Sequence, residues 1–378
     1  MDMLNYEEFK QAVADNIKDY LPAKYEDSYV DVKEVIKNNN TVLDGLLVSS
    51  PDSNVSPTIY LNDYYEQYKN GKDIDAIIGD IADVYIENAV DRKIDISGII
   101  DFESAKEHIV PRIINAEENR ELLADRPHQL MDDLAVTYHI QLNQEGTASI
   151  AITDKLMEMY DISAEELHEI AVANLEEQMP TSFRTMSDVM KEMFFMEALK
   201  ELDGDREAAM SMAEAMLPLG NDELMYVLSN EQRLNGAAVA LNEKAMEMVS
   251  EQIGGDFYVL PSSLHELLIV PQSAGMELSE LENMVREVNA TQVEPHEKLS
   301  DHVYAYDSRE KELFRADRAE EHEKKVERKH EVSKNHEASK EHKRVSVKEK
   351  MTERKEKAAN MNFGKEKVQE KKKELSLG

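Results

Sequence analysis

The chain has 378 residues, of which 41% are hydrophobic and 32% charged, so it is long enough for two or three domains with sizeable cores. It contains no cysteine, which excludes disulfides, thiolate zinc sites and a cysteine nucleophile. No apolar run approaches the roughly 20 residues that cross a bilayer, and the acidic N-terminus does not resemble a secretory signal. We therefore expect a cytoplasmic protein that does not associate with membranes.

The net charge of −34 is unevenly distributed. Residues 301–378 contain 22 basic and 18 acidic side chains, which leaves 22 basic and 60 acidic side chains in residues 1–300. Such an acidic body repels nucleic acid, because phosphate binding requires Lys and Arg. It attracts basic proteins, so we expect a protein partner, with a basic one favoured by charge. Simple solubility and imitation of DNA charge both remain open as explanations.

The first third of the chain alternates helices and strands. Asn5 and Glu8 form a capping-box pattern before a helix that Pro22 ends. Further along, the spacing predicts strands Val30–Ile36, Thr41–Ser49 and Thr58–Leu61, a turn at Asn38–Asn40, a helix Tyr64–Asn70, and helices beginning at Asp73 and Ser97.

The middle of the chain continues this alternation. The predicted elements are a hairpin of Leu134–Leu142 and Thr147–Ile152, helices from Thr153 and Ser163, helices Ser187–Leu202 and Asp205–Leu217, strand Leu224–Ser229, helix Ala237–Ile253, strands Phe257–Leu260 and Leu264–Val270, and helix Ser279–Asn289. This pattern predicts an α+β fold in which small mixed or antiparallel sheets pack with helices.

The composition changes near Ser308, after which Glu, Lys and Arg dominate. We predict an N-terminal α+β subdomain at residues 1–130 and one or more central α+β subdomains with Met-rich helices at residues 131–306. Residues 307–378 form a charged tail that is either a long helix or disordered.

One predicted helix is loaded with methionine. Met186, Met190, Met193 and Phe194 recur at helical spacing. Methionine fills irregular cores, which is the simpler interpretation, and it also forms adaptable partner surfaces. These four residues are therefore the candidate interaction residues.

Most local catalytic signatures are missing. There is no Walker loop, dinucleotide fingerprint or nucleophile elbow. His168 and His265 each precede a Glu, but a zinc protease needs a second His four residues after the first. His139, His168 and His265 are kept as candidate catalytic residues of a metal-dependent enzyme whose ligands converge only in the fold. The local spacing predicts no cofactor and no metal site.

Three stretches together resemble a known family. They are Tyr6–Phe9 with the strands that follow, the hairpin with the helix that opens at Ser163–Glu166, and Asp256–Glu266 continuing to Ser300–Tyr304. As a set they resemble an uncharacterised bacterial family (domain of unknown function five-six-eight-eight) that is met in gut Firmicutes, often near mobile elements. The resemblance covers residues 1–306 and implies a bacterial cytoplasmic protein, but no activity and no catalytic residue.

The favoured hypothesis is a non-enzymatic cytoplasmic protein-interaction module with an acidic body, because catalytic signatures are missing. The first alternative is an acidic DNA mimic that inhibits a nucleic-acid-binding enzyme. The second is a metal-dependent enzyme, which requires that the three histidines converge with carboxylates in the fold.

Overall fold

The structure is a computed structural model that describes residues 3–90, 93, 97–217, 224–261, 263–330, 351–352 and 355. The chain divides into two compact units, Met1–Asp317 and Arg318–Gly378. In the second unit, residues 319–330 are helical. The first unit is α+β, and every strand pair that the structure describes in it is antiparallel, which confirms the predicted fold class.

The N-terminal part is a three-stranded sheet, in the order β1-β2-β3, covered by helices. Its elements are α1 (Tyr6–Tyr20), β1 (Tyr29–Ile36), β2 (Val42–Ser49), β3 (Thr58–Tyr60), α2 (Asn62–Lys69) and α3 (Ile74–Asn88). The predicted capping box is confirmed, since the Glu8 N–H donates to Asn5 Oδ1 (3.0 Å) and the Asn5 N–H donates to the Glu8 carboxylate (2.9 Å). The buried face of α1 packs with α3 in one apolar cluster.

A second sheet is centred on a strand whose eight residues, Leu134–Gln141, are all buried. Its region contains α4 (Ser97–Ile100), α5 (Phe102–Ala105), β4 (Ile109–Asn115), α6 (Arg120–Leu123), β5 (His128–Met131), β6 (Leu134–Gln141), β7 (Ser149–Ala151), α7 (Asp154–Tyr160) and α8 (Ala164–Gln178). Strand β4 pairs along nearly all of β6, while β5 and β7 pair with successive halves of β6. One face of β6 packs in a cluster that also includes buried residues of α8.

The third sheet has six strands in the order β13-β12-β10-β11-β9-β8. The elements of this region are β8 (Thr181–Thr185), α9 (Met186–Glu201), α10 (Arg206–Met216), β9 (Tyr226–Asn230), α11 (Glu243–Ile253), β10 (Phe257–Leu260), β11 (Leu267–Pro271), α12 (Leu278–Thr291), β12 (Tyr304–Asp307) and β13 (Glu312–Arg315). Phe257 and Val259 belong to a cluster that includes α11, whereas Leu260 belongs to a cluster that includes α12. The alternation of side chains along β10 therefore places one helix layer on each face of the sheet.

One predicted helix is wrong at its start. The predicted helix Ala237–Ile253 is interrupted, because residues Gly236–Leu241 form a 3-10 helix and α11 begins only at Glu243. The Asn242 side chain accepts hydrogen bonds from the backbone N–H groups of Lys244 and Ala245, which caps the new helix.

Candidate interaction surface: a methionine-rich helical hairpin

Helices α9 and α10 form an antiparallel hairpin because each has its own cap and a tight turn joins them. Thr185 Oγ1 accepts from the Asp188 N–H (3.0 Å) at the start of α9. Asp205 Oδ1 accepts from two backbone N–H groups at the start of α10. Between the helices, Gly204 has a φ of +86°, a conformation that glycine adopts without a steric penalty.

Small residues bring the two helices together. Ala198 of α9 and Ala209 and Ala213 of α10 are fully buried. Lys191 donates to the Glu214 carboxylate (2.6 Å), and the guanidinium of Arg206 lies 5.5 Å from the centre of the Phe195 ring. Lys191, Phe195 and Ala198 recur at helical spacing, so α10 packs on this face of α9.

A neighbouring face of α9 carries the candidate interaction residues. Met186, Met190, Met193 and Phe194, here called the methionine stripe, lie within about 100° of one another around the helix axis. Met193 is 62% exposed, and the other three are half-buried. None of the apolar clusters found among the described residues contains a side chain of α9 or α10. The methionine stripe therefore does not fill the core.

Further apolar side chains are exposed on the same hairpin. They are Met196, Leu202, Met210, Met212 and Met216. Soluble monomers rarely expose many large apolar groups close together unless the surface binds something. The concentration of methionine in one short segment makes the hairpin the clearest candidate surface in the first unit.

The hairpin is acidic, and its carboxylates fall into two groups. Glu192 accepts hydrogen bonds from Arg184 and from Arg233, the latter at 2.6 Å, and these bonds lower its pKa. This network links α9 to β8 and to the loop that follows β9. Glu197 and Glu201 lie on the side of the methionine stripe and have no ion-pair partner in the described part of the chain. Sequence reasoning missed these two, although Glu197 follows Met193 by four residues and Glu201 follows Glu197 by four.

The candidate catalytic histidines lie apart. His139 projects from one face of β6, and the neighbouring Tyr138 projects from the other, where its hydroxyl contacts His168 Nδ1 at 3.0 Å. The sheet thus separates His139 from His168. Burial lowers the pKa of both histidines.

His265 occupies a different place, in the loop before β11. Its Nδ1 accepts from the backbone N–H of Asn235 (3.1 Å), so the ring proton lies on Nε2, which donates to Glu297 (3.2 Å). Both ring nitrogens are therefore occupied by the fold. Among the residues that the structure describes, no group of three His, Asp or Glu side chains is arranged to hold a metal ion.

These features define an α+β protein built on three antiparallel sheets and bearing a methionine-rich surface hairpin. The chain belongs to a family of unknown function (DUF5688), whose model matches residues 6–308. The match includes the hairpin and the three histidines, and it confirms the family resemblance drawn from the sequence. No curated protein and no solved structure shows detectable similarity to the chain. Within the described residues, no helix combines the length and apolar character needed to cross a bilayer.

Proposed function

We propose that this chain is a protein-interaction module in which the methionine stripe of α9 binds a basic amphipathic helix of a partner protein. The observation that carries the proposal is an apolar stripe that lies outside every core cluster of the described residues. Glu197 and Glu201 continue it on the same face, and neither has an ion-pair partner among those residues.

The chemistry of the surface specifies the class of partner. Methionine is unbranched and polarizable, so a methionine surface adapts to different apolar side chains. An amphipathic helix presents apolar groups every three or four residues, which matches the spacing along α9. Residues 186–216 contain eight acidic and three basic side chains, so a partner with Lys or Arg beside its apolar face is favoured over an acidic one.

A peptide-binding experiment tests this surface directly. The probe is a fluorescent helical peptide of Leu and Lys with an apolar face, and the comparison peptide has Glu in place of each Lys. We expect the full-length protein to bind the Lys peptide in a salt-sensitive way and the Glu peptide at least tenfold more weakly, because the rim of the stripe is acidic.

Two substitutions locate the binding. Met193→Glu puts a charge in the middle of the stripe and should weaken binding of the Lys peptide at least tenfold, about 1.4 kcal/mol. Met159→Glu is the matched control, since Met159 is 55% exposed on α7, outside the hairpin. Equal loss in the two variants, or no loss in either, would show that the hairpin is not the binding surface.

The natural partner can be identified at the same position. A photo-crosslinking amino acid at position 193 should capture a protein through a basic amphipathic helix, whereas the same group at position 159 should not. Capture through an acidic or an extended segment would contradict the proposed class of partner.

A further inference from the structure

Methionine supplies all the sulfur of this chain, which has 20 methionines and no cysteine. Seven of the 20 lie in residues 186–216, the segment that forms the hairpin of α9 and α10. An exposed thioether is readily oxidised to a polar sulfoxide, whereas a buried thioether resists because the oxidant does not reach its sulfur. The distribution of exposed methionine therefore decides where oxidation acts on this molecule.

The hairpin holds the largest group of exposed methionines in the described part of the chain. Five of its methionines are exposed; they are Met193, Met196, Met210, Met212 and Met216. The other described residues add three exposed methionines, which lie far apart in the sequence; they are Met3, Met159 and Met351. Met193, in the middle of the methionine stripe, has the largest exposed fraction of these eight, at 62%.

Buried methionines elsewhere in the unit provide the contrast. Met179 and Met246 are 5% and 2% exposed and belong to an apolar core cluster. A sulfoxide at either position would place a polar oxygen in the core and destabilise the fold. Met193 belongs to none of the core clusters of the described residues, so a sulfoxide there leaves the core packing intact. Mild oxidation therefore alters the hairpin surface without unfolding the unit.

The reaction is a direct oxygen transfer from hydrogen peroxide. A lone pair of the Met193 sulfur attacks one peroxide oxygen, so that an S–O bond forms and the O–O bond breaks. The departing hydroxide takes the proton of the transferred oxygen, and one thioether and one peroxide give one sulfoxide and one water. The sulfur is oxidised by two electrons, which the peroxide gains. Hydrogen peroxide is uncharged, so the carboxylates of Glu197 and Glu201 do not repel it.

Oxidation changes what the stripe can bind. The thioether is apolar and adapts to the apolar side chains of a partner helix. The sulfoxide oxygen is a hydrogen-bond acceptor, and the apolar face of a partner would bury it without a donor. A sulfoxide at Met193 therefore opposes the same apolar contact that the thioether favours.

We propose that Met193 is a site of reversible oxidation by peroxide, and that its sulfoxide releases the partner helix from the methionine stripe. The inference rests on the proposed function, because it requires that the stripe binds a helix. Reversal needs a reductant from outside the chain, since the protein has no cysteine to supply thiols. A methionine sulfoxide reductase with a dithiol meets this need. Two thiols become a disulfide, the sulfoxide oxygen leaves as water and the thioether is restored.

The test oxidises the full-length protein with graded doses of hydrogen peroxide and measures modification and binding separately. Peptide mapping by mass spectrometry gives the fraction of sulfoxide at each methionine. We expect Met193 to react at least about tenfold faster than Met179 and Met246, because only Met193 is exposed. At a dose that leaves those two unmodified, the midpoint of urea unfolding should stay unchanged while binding of the Lys peptide weakens about tenfold. Treatment with the reductase should restore binding.

Two leucine variants decide whether the effect belongs to Met193. Met193→Leu keeps an apolar side chain of similar volume that cannot form a sulfoxide. It should bind the Lys peptide before oxidation and lose less than about threefold after it. Met159→Leu removes a methionine that is 55% exposed outside the hairpin, and it should lose binding on oxidation as the wild type does.

The possible failures are distinct. Full loss of binding in oxidised Met193→Leu, undiminished binding by the oxidised wild type, or reaction of Met193 no faster than Met179 would overturn the inference while the proposed function stands. Absence of peptide binding before any oxidation would refute the proposed function, and the release of the helix with it.

Discussion

Asn39 is the residue at which a single substitution should most clearly reveal how the first sheet is held to the rest of the unit. It lies in the turn between β1 and β2 and has a φ of 58°. Its side-chain amide donates to the carbonyl oxygens of Pro295 (2.9 Å) and Lys298 (2.7 Å). Its Oδ1 accepts from Asn119 Nδ2 (2.8 Å), while Asn119 Oδ1 accepts from the Asn39 N–H (2.8 Å).

The cost of Asn39→Ala follows from these contacts. Three side-chain hydrogen bonds are lost, each with a net value of about 1 kcal/mol. Alanine in the left-handed conformation adds a further cost of about 1 kcal/mol. Asn119 is fully buried, so its amide cannot turn to water after losing a partner. We therefore expect the free energy of unfolding to fall by about 3–4 kcal/mol, a large part of the 5–15 kcal/mol of an ordinary protein.

Asn39→Gly separates the two contributions, because glycine adopts the left-handed conformation without strain. It should cost about 3 kcal/mol, and its difference from Asn39→Ala should be about 1 kcal/mol. Urea unfolding followed by circular dichroism gives both values. If Asn39→Gly costs less than about 1 kcal/mol, the hydrogen bonds do not hold the turn in place and the reasoning is refuted.

Three further predictions concern other parts of the unit. Gly236→Ala should destabilise the protein by several kcal/mol in urea unfolding, because a Cβ there would lie 2.5 Å from a backbone carbonyl oxygen. Gly79→Ala, in an open part of α3, is the control and should be neutral or stabilising by up to ~1 kcal/mol. Similar changes in unfolding free energy for the two variants would contradict this explanation. Tyr304→Phe removes a 2.6 Å hydrogen bond to the Asp133 carboxylate and should cost about 1–3 kcal/mol, and a neutral result would show that the contact contributes nothing. Burial lowers the pKa of His168 in the folded protein, so as the pH falls the unfolded chain takes up a proton on this histidine before the folded protein does. The wild type should therefore lose stability relative to His168→Gln as the pH falls below about 6.5. A stability difference between the two proteins that does not change with pH would contradict this.

Local signals in the sequence predicted the elements that depend on local interactions. The capping box of α1 and the hairpin of β6 and β7 are formed by residues close in the chain, so short-range patterns suffice. Strand β4 was missed because Pro111 and Arg112 interrupt its apolar run. Hydrogen bonds to its pairing partner β6 stabilise β4, and β6 lies outside the short stretch of sequence from which a strand is predicted.

Long-range pairing explains the other misses. Strands β12 and β13 lie at the point where the composition becomes charged, and β12 is held by β10, over 40 residues earlier. The same limit applies to the sites. Helical spacing placed the methionine stripe on one face, but spacing does not reveal whether another element covers that face. The surroundings of Arg112 depend on strand register and on the approach of a distant loop, which no local pattern encodes.

The structure allows the binding role of the hairpin to be separated from the stability of the unit. The contacts between its helices depend on alanines, and Glu192 connects α9 to the base through Arg184 and Arg233. Met193 takes part in neither arrangement and belongs to no core cluster of the described residues. Substitution at an exposed position of this kind usually changes stability by less than about 0.5 kcal/mol. A Met193 variant that loses peptide binding while it keeps its unfolding free energy would therefore assign the stripe to recognition, because a stripe needed for folding could not lose one without the other.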